Sequence, residues 1–464
     1  MKSQYHFIGI GGIGMGTLAS LLLDKGYKVS GSDLKDNELT AQLRRAGALI
    51  TIGHQAGNVQ KPDYVVYSSA IRVNNPELIE AVSRKIPVLK RAEVLAQMVN
   101  AQTGITIAGA HGKTTTTSMA SYLLINAGLK PTTAVGGIIN GPAYNARLGA
   151  GKYFVAEVDE SDGTFLYFKP QYSIITNIDF EHVDFYKNWD GITAAYEKFV
   201  QCTAPEGTLI VCGEDARLKQ MAARGKGRRI CYGFDPTLDV WAKNIVTQGF
   251  HSRFECYTAQ GKVGDFELIV PGLHNVLNAL ACIALGLELK IAVDVIAKTL
   301  KEFTGVKRRF QLKGHVEGIM VVDDYGHHPT EITATLKAAR LFSPKRLVTV
   351  FQPHRYSRTK FLLDEFVASL QLADEVILTD IYAASEKPTE GASTKQLLEQ
   401  LKAALDDRVV YLKKEEISSF LAHQAQTGDL VLFLGAGDIY HLSDEFIKML
   451  QERFSAVGAA VKGL

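Results

Sequence analysis

The chain holds 464 residues, 46% hydrophobic and 22% charged, a composition that excludes disorder and a membrane-embedded bundle; its length predicts about three domains. Its 51 Lys and Arg against 49 Asp and Glu run in no long like-charge blocks, which excludes an electrostatic footprint for nucleic acid or a lipid surface. Any phosphate binding must then be local.

The opening run YHFIGI is Gly-rich and passes straight into a helix pattern, so it reads as a strand and not as a leader. With YKVSGSD and DYVVYSSAI it alternates with helix-like segments such as MGTLASLLLDKG, the pattern of a parallel sheet covered by helices. This first unit is expected over residues 1–100. The pattern restarts with TGITIAGA, a buried strand, and TTTTSMASYLLINAG, a helix closed by Gly128. YFVAEVDE and YSIITNID supply further strands to a second unit, over residues 101–310, whose apolar helix LNALACIALGLEL meets Glu288 too soon to span a bilayer. GIMVVDDY, RLVTVFQ, DEVILTD and DLVLFLGAG predict a third α/β unit over 311–464. Cys202, Cys212, Cys231, Cys256 and Cys282 have neither CxxC nor metal-type spacing and fit free thiols in a reducing compartment, so a cytoplasmic location is expected.

Two glycine loops carry most of the chemistry. Gly9, Gly11 and Gly14 fit G-x-G-x-x-G between a strand and a helix, where backbone N–H groups and the helix N-terminus favour a pyrophosphate. Asp33 closes the second strand about where a dinucleotide fold places its ribose acceptor. Taken alone, the loop does not separate NAD from a UDP-sugar. The second loop, GAHGKTTTT at residues 109–117, is a shortened triphosphate loop: Gly112 lets the backbone curl, Lys113 reaches the β- and γ-oxygens, and Thr114 or Thr115 offers a hydroxyl to Mg²⁺. A dehydrogenase needs no triphosphate site. The pair therefore indicates a nucleotide-linked substrate joined to ATP hydrolysis.

Glu157, Asp159, Glu160 and Asp162 cluster at a strand end in AEVDESDGTF, where carboxylates suit a hard cation, and His182 follows the next strand. Asp324, His327, Arg355 and Arg358 also fall at strand ends, and Arg355 and Arg358 at i, i+3 are expected to share a helix face and grip a carboxylate or phosphate. No nucleophile triad or zinc spacing is apparent, so phosphoryl transfer is favoured over covalent catalysis. A switch-type ATPase with a dinucleotide in its first domain is the rival class.

The ordered set GIGGIGMG, SGSD, SSAI, HGKTTTT, AEVDESDGTF, PGLHNVLNAL, GVKRRF, DDYGHHPTE, FQPHRYSRT, IYAASEKP and GAGDI resembles the Mur ligases of peptidoglycan synthesis along nearly the whole chain. That resemblance implies three domains: Rossmann-like at the N-terminus, a central P-loop ATPase domain, and Rossmann-like at the C-terminus. DESD-x-x-F and DDYGHHP look more like members that join L-alanine to UDP-N-acetylmuramate than like those adding a preformed tripeptide. It further implies that Gly11, Gly12, Gly14, Ser32, Asp33, His54 and Ser69 hold the UDP-sugar. ATP would lie on Gly109, Ala110, His111, Gly112, Lys113, Thr114 and Thr115, with Asn275 and Asn278 at adenine and Arg309 and Asp324 completing the nucleotide site. Thr114, Glu157 and His182 would hold Mg²⁺, and His327, Arg355 and Arg358 would receive the amino acid and the acyl intermediate. Lys113, His182, Arg309, His327, Arg355 and Arg358 form the expected catalytic set, and Lys198 is the nearest candidate for the modified lysine of some family members. The implied assembly is a monomer or homodimer.

Overall fold

The computed structural model describes residues 2–137, 146–384, 386–389 and 391–462, which leaves Ser385 of IYAASEKP outside the described residues. Three sheets carry the chain. The first orders its strands Leu49–Ile52, Lys28–Asp33, Gln4–Ile8, Tyr64–Tyr67 and Val88–Lys90, all parallel. That order makes two crossovers run in opposite directions from Gln4–Ile8, and in such sheets a crevice opens beyond the carboxyl ends of the strands at the reversal. The helix Ile13–Asp24 begins there, directly after the first glycine loop.

In the second sheet the strand Thr103–Ala108 lies between Tyr153–Glu157 and Tyr172–Ile175, parallel to both. Five of its six residues are fully enclosed, as expected of a strand covered on both faces. The helix Lys113–Asn126 follows at its carboxyl end. The sequence pattern predicts no strand beyond residue 180 in this region. The structure continues the sheet through Thr208–Cys212, Arg228–Gly233, Val240–Gln248, His251–Thr258 and Gly261–Leu268. The last three alternate buried and exposed positions and carry charges on the open face, so no continuous apolar run announces them.

The third sheet runs Gln311–Val316, Ile319–Asp324, Asp429–Leu434, Arg346–Phe351, Glu375–Leu378 and Val409–Tyr411, parallel except for the first pair. In Asp429–Leu434 the side chains of Leu430, Leu432 and Leu434 join one buried cluster and those of Val431 and Phe433 another, the two-residue period of a strand with helices on both sides. By packing, Met1–Asn244, Phe254–Phe266 and Leu277–Phe303 make one compact unit that holds the first two sheets' parallel strands; Ile245–Arg253, Glu267–Val276 and Thr304–Leu464 make the other. Among the described residues, no helix is long and apolar enough to cross a membrane.

Candidate active site

In the first unit the glycine loop closes on itself. Gly9 has φ +80°, and the N–H groups of Gly9 and Ile10 both donate to the Ser32 carbonyl at 2.8 and 3.0 Å. Asp33, at the edge of the cleft, braces the loop with one oxygen: its Oδ2 accepts the Gly11 N–H at 2.8 Å. A cleft of about 600 Å³ opens beside it, with Gly11, Gly12, Gly14 and Ser69 on one side and Gly136, Glu157 and Asp159 on the other.

Ser32 and His54, expected in the sugar-nucleotide site, lie behind that cleft and not along it. Ser32 is fully buried; its Oγ donates to Glu77 Oε2 at 2.8 Å and meets His54 Nδ1 at 2.9 Å. Glu77, also fully buried, further accepts from Asn58 Nδ2 at 3.0 Å and pairs with His6 Nε2 at 2.7 Å. Burial alone would raise the Glu77 carboxyl, but bonds from His6, Ser32 and Asn58 outweigh it and hold the carboxyl below its ordinary value. Sequence reasoning missed Glu77, since a single glutamate in a helix start looks like a solvated first-turn charge. Glu77→Ala strands several buried donors and is expected to cost about 3–5 kcal/mol in urea unfolding at neutral pH. Because the folded-state pKa is depressed, this contribution is present in full above the ordinary glutamate range and lost as pH falls from that range through the lower folded-state value, so the gap from wild type shrinks in acid.

The triphosphate loop is shaped by two positive-φ glycines. At Gly112, φ +80°, the chain turns into the helix Lys113–Asn126; at Gly109, φ +131°, a Cβ would fall 2.1 Å from Thr176 Oγ1. Behind the loop, Asn177 accepts the N–H groups of Ala110 and His111 at 3.2 and 2.8 Å, and His111 Nε2 meets Asp179 Oδ2 at 2.8 Å. Asn278 accepts Thr116 Oγ1 at 3.1 Å, which puts it against the loop. Thr114, and not Thr115, faces the acids: its Oγ1 donates to Glu157 Oε1 at 3.0 Å, while Glu157 Oε2 accepts Gly136 N–H at 2.8 Å.

Lys113 donates to the carbonyls of Gly109 and Ala110 and to Glu160 Oε1 at 2.9 Å. Burial would lower its pKa, but Glu160, Asp159 and Glu181 raise it well above the ordinary lysine value, so it stays charged. Glu160 was part of the acidic run but not of the expected metal set. In the structure it and Asp159 group with His182, all three offering ligand atoms within 4.8 Å of one another, whereas Glu157 pairs with Thr114. The fully buried Glu160 keeps one oxygen, Oε2, without a hydrogen-bond partner, which fits a cation as its missing neighbour. His182 has φ +55°, backbone strain that an isolated packed histidine would not need. Lys198 lines a different pocket, of about 330 Å³, with Glu197, Met221 and Arg224, none of them in the acidic cluster.

In the second unit, Asp324 spends both oxygens on its own surroundings, accepting Phe310 N–H at 2.6 Å and Gly326 N–H at 2.7 Å. Burial raises its pKa against the opposing charge of Arg309. Arg309 lies over the Tyr325 ring and 3.5 Å from Glu331 Oε1, and Glu331 Oε2 is 3.3 Å from His327 Nδ1. Nearby His274 is pushed down to about 4, by burial first and then by Arg309, so its ring is neutral at neutral pH; next to it, Asn275 donates to the Pro271 carbonyl at 2.7 Å.

Arg355 and Arg358 do not share a helix face. Arg355 is the cap residue, at φ +72°, held there because its N–H donates to the Tyr382 carbonyl at 2.8 Å; only Arg358 lies in the helix Tyr356–Phe361. Arg358 meets His354 Nδ1 at 3.0 Å, Arg355 lies 3.9 Å from Glu386, and the His354 ring stacks on Tyr382 and sits 5.5 Å from that of His327. The structure thus joins His327 and Arg358 through His354, a residue inside a quoted motif whose role sequence reasoning missed, as it missed Glu331 and Glu386.

Three segments match known families: residues 4–103 the Mur ligase family, catalytic domain; 107–286 the Mur ligase middle domain; and 308–437 the Mur ligase, glutamate ligase domain. A UDP-N-acetylmuramate–L-alanine ligase of Trichlorobacter lovleyi is 46% identical over 450 residues, covering 96% of this chain and 99% of that protein. The same enzyme of Geotalea daltonii is 46% identical, with 97% and 98% covered. Among solved structures, the UDP-N-acetylmuramate-alanine ligase MurC from Thermotoga maritima superposes with a TM-score of 0.83 at 31% identity, covering 97% of this chain and all of that one. A murein peptide ligase from Psychrobacter arcticus gives 0.73 at 26% identity, with 97% and 98% covered.

Proposed function

Because the chain belongs to the Mur ligase family, we propose that it joins L-alanine to the lactyl carboxylate of UDP-N-acetylmuramate at the cost of ATP, in the cytoplasmic synthesis of peptidoglycan precursors. One observation carries the reading. The glycine loop suited to a sugar-nucleotide pyrophosphate and the carboxylates that accompany the triphosphate loop line a single cleft. The relatives named for L-alanine, at 44–46% identity, favour that amino acid over a preformed tripeptide, and among the solved structures the alanine ligase stands at 31% against 26% for the murein peptide ligase.

A carboxylate does not react with an amine in water, because its leaving group would be oxide. Transfer of the ATP γ-phosphoryl to the lactyl carboxylate makes an acyl phosphate, and the neutral amine of alanine then displaces phosphate. Lys113, held charged beside Glu160, meets the developing negative charge on the transferred group. Thr114 and Glu157, with Asp159, Glu160 and His182, would hold Mg²⁺, which supplies positive charge to phosphate oxygens. We assign Asn275 and Asn278 to the adenine side, Arg309 and Asp324 to the nucleotide, and His327, Arg355 and Arg358 to the amino acid and the acyl intermediate. The fixed planar forks of the two arginines suit a carboxylate.

A coupled assay of ADP release over a panel of amino acids tests the proposal. Turnover is expected to need both UDP-N-acetylmuramate and alanine. With alanine replaced by hydroxylamine, the muramoyl hydroxamate is expected to accumulate with ATP and Mg²⁺. ADP release that ignores the sugar nucleotide, or that is faster with the tripeptide than with alanine, refutes it.

A further inference from the structure

The third fingerprint glycine has an unexpected neighbour. A Cβ on Gly14 would lie 3.3 Å from Cζ and Nη1 of Arg91, a residue 77 positions later at the start of the helix Arg91–Asn100. The glycine leaves room for this guanidinium close against the first turn of Ile13–Asp24. Arg91 lines the cleft, and it is the only Lys, Arg or His among the described residues that does so. It forms no side-chain hydrogen bond or ion pair with the described residues, although its charge reaches Asp159.

Ahead of the first-turn N–H groups of Ile13, Gly14 and Met15, the loop's own N–H groups are already engaged. The Gly11 N–H is taken by Asp33 and the Gly12 N–H points back to the Gly9 carbonyl at 3.3 Å. A nucleoside diphosphate therefore enters a cleft whose other charged walls, Asp33, Glu157 and Asp159, repel it. A guanidinium with a vacant planar fork, seated at the helix N-terminus, is the group that offsets this. We infer that Arg91 binds the diphosphate of the sugar nucleotide. The assignment rests on the sugar-nucleotide reading above and adds a residue to it. It also places one cation between the diphosphate and the acids, so the lactyl end of the substrate extends toward Glu157 and Asp159.

Calorimetry at fixed ionic strength with UDP, UDP-N-acetylglucosamine and UDP-N-acetylmuramate tests this, because the first two lack the lactyl carboxylate. Arg91→Ala is expected to weaken all three by a similar factor, about 10- to 100-fold, and Arg91→Lys to recover only part of it. The Kd of a non-hydrolysable ATP analogue and the melting temperature should stay at their wild-type values, which separates ligand binding from a structural role. Unchanged affinities in Arg91→Ala overturn the inference alone. Loss confined to UDP-N-acetylmuramate overturns the diphosphate assignment and moves Arg91 to the carboxylate. Wild-type protein that binds none of the three overturns the sugar-nucleotide reading together with this inference.

Discussion

Lys113→Ala is expected to lower kcat by about 10³-fold or more while the affinity for UDP-N-acetylmuramate stays at its wild-type value. The lysine belongs to the triphosphate loop and does not line the cleft beside the first glycine loop, so the two readouts separate. The same change leaves Glu160, fully buried, without the ammonium that its Oε1 accepts from at 2.9 Å. Stability should therefore also fall, by about 3–5 kcal/mol if nothing relaxes. The kinetic comparison is to be made below the variant's melting transition, with steady-state ADP release beside calorimetry of the sugar nucleotide. A kcat near that of wild type would remove this loop from the reaction.

Glu157→Gln is the second large effect. Its carboxylate takes two donors, Thr114 Oγ1 at 3.0 Å and Gly136 N–H at 2.8 Å, one on each oxygen. An amide has a single acceptor oxygen, so one donor is left facing an NH₂ group. It also loses the charge that a divalent cation requires. Turnover is expected to fall about 10²- to 10³-fold, and the Mg²⁺ concentration giving half-maximal rate to rise. At Gly136 a Cβ would lie 2.7 Å from the Glu157 carboxyl, so a side chain there would push that carboxylate aside. A rate loss without any change in the Mg²⁺ dependence would assign Glu157 to bracing Thr114 and not to the metal.

The two families of effect differ in how visible they were in the chain. Glycine loops, the lysine and the acidic run are local: spacing, a preceding apolar strand and a following helix put Gly112, Lys113 and Thr114 where the structure has them. The choice between Thr114 and Thr115 was not local. It depended on Glu157 arriving from a neighbouring strand, paired Ile107 to Glu157 in parallel register. Asp33 sits at the strand end where a ribose acceptor is expected, and only the structure shows that one of its oxygens also holds the loop N–H of Gly11. Arg355 and Arg358 have helical spacing, but a bridge to Tyr382 holds Arg355 outside the helix.

What the amino-acid sequence determined by itself is the set of segments and their chemistry: buried β-runs that must be covered on both faces, helices that start at glycine loops, and two glycine loops of phosphate-binding pattern in one chain. These follow from periodicity and from glycine's access to positive φ, both properties of a few adjacent residues. Only the tertiary structure decided which charges meet. Arg91 against Gly14, Lys113 against Glu160, Glu77 among His6, Ser32 and His54, and His354 between His327 and Arg358 are partners separated by 4 to 77 positions. Most of those meetings are set by strand order and register, which place the ends of distant segments side by side, and a side chain's charge state and direction follow from the neighbours it is given there.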